Sequence, residues 1–213
     1  MKRVVIAFAG LLVLPLTGWT QPQPSPLERF RNLSFPPKEE NFAKGWQERV
    51  ASEYDIINAA DLRSLRSALR DENPLVRSMA ARTLGIRGDK RSADALAELV
   101  KGDPEYMVRL RAVESLGYLK MKPETIELAK KDRHGGVRWV AAMAAGQLTS
   151  ATDYAAVVRR AYAAGIKREA IGSAKVGQPA PDFTAYTIDG KCFRLSTVLG
   201  KKPIALYFAA FDG

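Results

Sequence analysis

The residues able to do chemistry are few. The chain of 213 residues holds one cysteine, Cys192, and one histidine, His134. A single cysteine closes no intrachain disulfide, and one Cys with one His falls short of any zinc ligand set. His134 precedes Gly135-Gly136 and reads as a turn residue rather than a general base. Cys192 lies between Lys191 and Phe193-Arg194, and the two cations favour its thiolate modestly. In the alternation Cys192-Phe193-Arg194-Leu195 the apolar pair faces inward, so the cysteine faces outward with no second thiol and no base. No catalytic, cofactor-binding or metal-binding residue is assigned on these grounds, and no cofactor is expected. The remaining candidates are recurring pairs: Arg77, Arg109 and Arg138, each with an Asp six positions earlier at Asp71, Asp103 and Asp132. Such a row reads either as a ladder for anionic ligands or as internal Arg–Asp pairs within or between repeats. The strict recurrence of Asp with Arg favours the second.

The elements that carry those pairs repeat. Segments 71–85, 103–117 and 132–146 align without gaps, with Arg-to-Arg spacings of 32 and 29 residues. Each has Val before the Arg, small or apolar residues at the same offsets (Ala80-Ala81, Ala112-Val113, Ala141-Ala142), and Gly eight residues after the Arg. Val76, Ala80 and Leu84 recur at helical spacing and form one apolar face. Asn73 caps a helix that begins at Pro74, and Pro104 opens the second copy in the same way. Gly85, Gly117 and Gly146 are expected to end their helices in the left-handed conformation. Second helices follow over 93–100, 124–131 and 154–163. Asp61 to Leu69 would be the second helix of a degenerate first repeat, behind a cap helix over Phe42 to Asn58.

This pattern resembles the HEAT-like repeats first associated with phycobilisome lyases, over roughly Asp61 to Ala164. The resemblance implies an α-solenoid, a fold that mostly binds other macromolecules. A bilin-lyase-like activity is a remote alternative, because no reactive Cys or acidic set is identifiable in the groove.

After Lys175 the helical period stops. Val176-Gly177-Gln178-Pro179-Ala180-Pro181-Asp182-Phe183 carries two prolines and cannot be helix. A strand is expected over Phe183 to Ile188, a tight turn at Asp189-Gly190, and a returning strand over Lys191 to Leu195. Ser196 then caps a short turn ending at Gly200, and 203–208 reads as a buried strand. That order resembles the opening of the redoxin group: peroxiredoxins, periplasmic thiol-disulfide oxidoreductases and deiodinase-like proteins. The resemblance implies a thioredoxin-like fold whose nucleophile, Cys or selenocysteine, follows this strand at a helix N-terminus. Here Ala209 to Gly213 follow. The expectation is a chain cut before its nucleophile, at a contig end or at a UGA codon read as stop.

The N-terminus reads as a targeting signal. Lys2 and Arg3 precede an apolar run of 13 residues, Val4 to Leu16, with small or polar residues around Gly18 and Thr20. The run is short of the ~20 residues that span a bilayer. Gln21 to Pro26 then carries three prolines and reads as extended. The formal charge is +10. The basic residues are mixed with carboxylates, as in Arg70-Asp71-Glu72, with few interleaved aromatics, which describes a solvated helix surface rather than a nucleic-acid platform.

The expected organisation is a signal peptide over 1–20, a Pro-rich linker over 21–40, a mainly α solenoid of HEAT-like helix pairs over 41–172, and a partial thioredoxin-like α/β segment over 176–213 (a β-hairpin plus one strand). The expected function is a periplasmic or secreted scaffold that binds a protein partner through the solenoid surface. No nucleic-acid binding and no stable membrane insertion after signal cleavage are expected. The alternative is the N-terminal part of a thiol- or selenol-dependent oxidoreductase.

Overall fold

The computed structural model describes residues 23–33, 42–165, 177–186, 191–201 and 204. The proposed signal peptide, most of the linker, the Asp189-Gly190 turn and, apart from Ile204, the strand expected over 203–208 lie outside the described residues.

The helical part begins earlier than the sequence suggests. Helix α1 (Pro26–Arg31) sits inside the segment read as linker. Pro26 occupies the first helical turn, where its missing N–H costs nothing. Ser25 and Glu28 complete a reciprocal capping box, and Leu27 and Phe30 are buried. Proline here starts a helix rather than preventing one.

The array proper runs α2 (Phe42–Ala59), α3 (Leu62–Ala68), α4 (Pro74–Ile86), α5 (Ala93–Gly102), α6 (Tyr106–Leu119), α7 (Pro123–Ala129), α8 (Gly135–Thr149) and α9 (Tyr154–Ala163). Helices α4, α6 and α8 stack side by side as one layer. The second layer, α3, α5 and α7, packs each member on the first helix of the next repeat. Val76, Val108 and Val137 at the start of each inner helix are at most 1% exposed, and Ala80, Ala112 and Ala141 are fully buried. Alanines at the centre let the helices approach, while Leu84, Leu96, Leu116 and Ile126 fill the space between layers. Each such aliphatic side chain contributes about 1.5–3 kcal/mol on burial.

Two expectations about the ends of these helices are corrected. Helix α6 begins at Tyr106, not at Pro104, because the Asp103 carboxylate accepts from the Glu105 N–H and holds Pro104 in the preceding turn. Gly85, Gly117 and Gly146 do not end their helices; they lie inside α4, α6 and α8 with helical backbones. The chain reverses later, through Gly88 (φ 71°) after α4 and through Lys120 and Lys122 (φ 54° and 56°) after α6.

Helix α9 also departs from expectation. A second helix of the third repeat would lie against α8. Instead α9 packs on α2, α4 and α6, running back across the inner layer. Beyond it, β1 (Thr184–Tyr186) and β2 (Cys192–Arg194) pair antiparallel, with Ala185 opposite Phe193 and Tyr186 opposite Cys192. The second strand is shorter than the expected 191–195, since Leu195 to Thr197 form a 3-10 turn, and the end of the first strand past Tyr186 lies outside the described residues. Leu195 is buried, and the Asp182 carboxylate accepts from the Ser196 N–H at 2.8 Å.

Candidate protein-binding surface

The Arg–Asp pairs form a ladder along the array, between repeats rather than within them. The Nε and Nη2 groups of Arg77 donate to both carboxylate oxygens of Asp103 at 2.8 and 3.0 Å. Arg109 does the same to Asp132 at 2.8 and 2.9 Å. Each guanidinium also ties down its own repeat. Nη1 of Arg77 donates to the carbonyls of Asp71 and Glu72, and Nη1 of Arg109 to those of Asp103 and Pro104.

Each Asp has a second role, accepting the N–H two residues on (Asn73, Glu105, His134) in an Asx turn that opens the next helix. One rung therefore fixes a loop, a helix start and a repeat-to-repeat register. The planar fork of Arg suits this task and a Lys would not.

The electrostatics follow. Hydrogen bonding to Asp132 is the main cause that holds Arg109 above its ordinary value. Burial works to raise the Asp132 carboxyl, but hydrogen bonds from Arg109 and the His134 N–H, with the charges of Arg109 and Arg133, outweigh it and hold the group low. Arg31 of α1 pairs with Asp71 and so closes the N-terminal end of the ladder.

The glycines mark where helices touch. A Cβ on Gly85 would lie 2.3–2.6 Å from Ser115 atoms, backbone included, and one on Gly117 would lie 2.6–2.9 Å from Gln147 and Ala144. Each is a notch that receives the next repeat's inner helix. Sequence spacing located these positions without revealing that role.

Helix α9 is held across the inner layer by groups from three helices, α2, α4 and α6. Arg159 donates to the Ile86 carbonyl at 2.7 Å, and the Asn58 amide to that of Tyr162 at 3.3 Å. Below Tyr162, Arg82 lies 5.7 Å from its ring centroid and 3.7 Å from the Glu53 carboxylate. Tyr118 donates to Glu114 at 3.1 Å, and Arg111 pairs with the same carboxylate. Burial works to lower the Arg82 guanidinium, but Tyr162, Glu114, Glu53 and Tyr118 hold it above its usual value. Burial, with Glu114 beside it, pushes the Tyr118 phenol up.

Between α1 and α2 on one side and the N-terminal halves of α4 and α6 on the other lies a groove of about 400 Å³ lined by Leu75, Met79, Arg82, Met107 and Arg111 among others. Apolar and methionine side chains give it an adaptable floor, and arginines give it cationic walls.

Neither His134 nor Cys192 lines this groove. His134 caps α8, its Nδ1 accepting from the Gly136 N–H at 3.2 Å, and stacks on Tyr106 with ring centroids 3.8 Å apart. Cys192 is exposed and free on β2. Among the described residues, no group of three or more His, Cys, Asp or Glu could hold a metal ion, and no helix is long and apolar enough to cross a membrane.

Residues 55–117, spanning α3 to α6 with the end of α2, match the family model for HEAT repeats. With the two-layer stack and its ladder, that match makes the helical part a HEAT-like repeat array, a helical scaffold of a kind that commonly mediates protein interactions. No curated protein matches the chain.

Proposed function

We propose that this protein is an exported scaffold, whose HEAT-like array binds a protein partner and carries a redoxin-type segment at its C-terminal end. The observation that carries the binding role is the groove on the inner layer. It is walled by Phe30 of α1 and Trp46 and Glu53 of α2 and lined by methionines and arginines, where a repeat array with only a structural role would present a polar surface. Arg82 and Glu53, which line the groove, also belong to the polar cluster under Tyr162, so the groove's charged side chains are held in place. The redoxin reading is supported by the order Gly177 to Phe183, hairpin, buried Leu195 and 3-10 turn. Export is supported by Lys2, Arg3 and the apolar run that follows.

A photo-crosslinking residue at Leu75 or Met107, compared with one at Leu128 on the outer layer, tests the binding role in cells. One discrete adduct from the groove positions only, whose purified partner then binds directly, is expected. Equal and diffuse labelling at all three would contradict the reading. Intact mass of protein recovered from the periplasm or medium tests export. The expected species begins between Gly18 and about Gln23, and a species retaining Met1 would contradict cleavage.

A further inference from the structure

Four cations that neither the ladder nor the groove uses line one pocket of about 460 Å³. Arg87 and Lys120 cap the C-termini of α4 and α6, Lys90 lies in the turn after α4, and Arg159 comes from α9. Nη1 of Arg87 donates to the carbonyls of Ile57 and Ala60 at 3.1 and 3.2 Å, and Nη1 of Arg159 to that of Ile86 at 2.7 Å. Lys120 donates to the Ser150 carbonyl. Among the described residues, the four side chains have no other hydrogen bond and no ion pair. The remaining edges of both guanidinium groups and the whole Lys90 ammonium therefore have no protein acceptor there.

The backbone is shaped around these side chains. Lys120 takes a left-handed conformation (φ 54°), which a glycine adopts without cost and a lysine does not. Gly88 (φ 71°) lies against Arg159, and a Cβ there would sit 3.3 Å from its Nη1. Among the residues that line the pocket, the carboxylate is that of Asp153, whose Oδ1 accepts from the Ala156 N–H to cap α9.

Part of this charge is structural. A helix C-terminus carries about half a negative charge, so the ends of α4 and α6, with Asp153, offset about two of the four cations. An excess of about two positive charges remains. We propose that this pocket binds a compact dianion, a phosphoryl group carried as inorganic phosphate or as the phosphate of a small monoester. The two guanidinium groups are already anchored through Nη1, so their forks meet phosphoryl oxygens with little left to order. Lys90 and Lys120 add mobile point charges beside them. The charge is held in one concave volume rather than along a track, which suits one compact group better than an extended acidic segment. The proposal does not depend on the scaffold reading.

Calorimetric titration of the full chain with sodium phosphate tests this, at about pH 8, above the second ionisation of a phosphate group. Ionic strength is held constant with sodium chloride, and saturable binding is expected. Lys90→Gln is expected to weaken it about tenfold, the worth of one charge-assisted hydrogen bond, and Lys90→Glu to abolish it. Lys120→Gly removes a second cation while relieving the left-handed backbone. It is expected to weaken binding about tenfold with a melting temperature no lower than the parent's. Lys131→Glu, an exposed change outside the pocket, is expected to leave binding unaltered. Glycerol phosphate as a second probe separates the two sources: tighter binding than phosphate assigns the site to a monoester, and weaker binding assigns it to the free ion. No saturation by either probe would overturn the assignment. So would equal losses in Lys90→Glu and Lys131→Glu, or parent-like binding by both Lys90→Glu and Lys120→Gly. Saturation by a hexaglutamate peptide alone would also overturn it, and would give the pocket to an acidic protein segment.

Discussion

Replacing Arg109 by Ala removes a complete rung. The side chains of Arg109 and Asp132 are 5% and 10% exposed, so the substitution strands a nearly buried carboxylate and leaves the Asp103 and Pro104 carbonyls short of a donor. Breaking a buried pair by removing one partner costs about 3–5 kcal/mol. Asp132 keeps the His134 N–H, which places the expected loss near the lower end, about 3 kcal/mol. For a chain of this size each kcal/mol moves the melting temperature by about 2–4 °C, so a fall of about 6–12 °C is expected.

Arg138→Ala is the internal control. That side chain is exposed and donates only to two carbonyls of its own loop, so its loss is expected to cost about 1 kcal/mol or less. Thermal unfolding of the full chain followed by far-UV circular dichroism compares the two. Equal shifts for Arg109→Ala and Arg138→Ala would refute the reasoning, because side chains in the same repeat position would then be worth the same whether or not a next repeat receives them.

Three further outcomes are expected. Gly85→Val drives a Cβ into the Ser115 backbone and is expected to destabilise by about 1–3 kcal/mol or more, while Gly146→Ala, open on its free side, is expected to stabilise by about 0.5–1 kcal/mol in urea unfolding. Asp132 is held below its ordinary value in the fold, so its contribution is complete above about pH 4 and is lost as pH falls through the lower native value. The parent is therefore expected to lose more stability between neutral pH and pH values of about 3 than Asp132→Asn does. Cys192 is exposed, and a thiol reagent is expected to titrate one full equivalent in the native protein, with Cys192→Ser melting as the parent does.

Much of the array is legible in the sequence because its signal is repeated. Asp71, Asp103 and Asp132 recur with their arginines at a fixed offset, and this shows that they belong together. Spacing cannot say whether a fork reaches its own Asp or the next one, since both lie within a side chain's length once helices stack. The glycines show a different limit. Their position was plain, but a Gly near a helix end serves equally as a left-handed cap or as a notch, and only backbone angles and the Ser115 contact distinguish the two. Helix α9 was visible as a helix from its period, while its destination depends on Arg159, Tyr162 and the Glu53–Arg82–Glu114 cluster, residues far apart in sequence with no shared pattern. Helix α1 was hidden because Pro26 sits at the one helical position where proline is favourable.

The claim on which the rest depends is that the repeats are locked to one another by rungs between neighbours. A double-mutant cycle at Arg109 and Asp132, with each residue replaced by Ala singly and together, measures one rung directly in urea unfolding of the full chain. The account predicts a coupling of about 1.5–3 kcal/mol, the worth of a well-formed buried charged contact. A coupling near zero, with the two single losses simply adding, would contradict it.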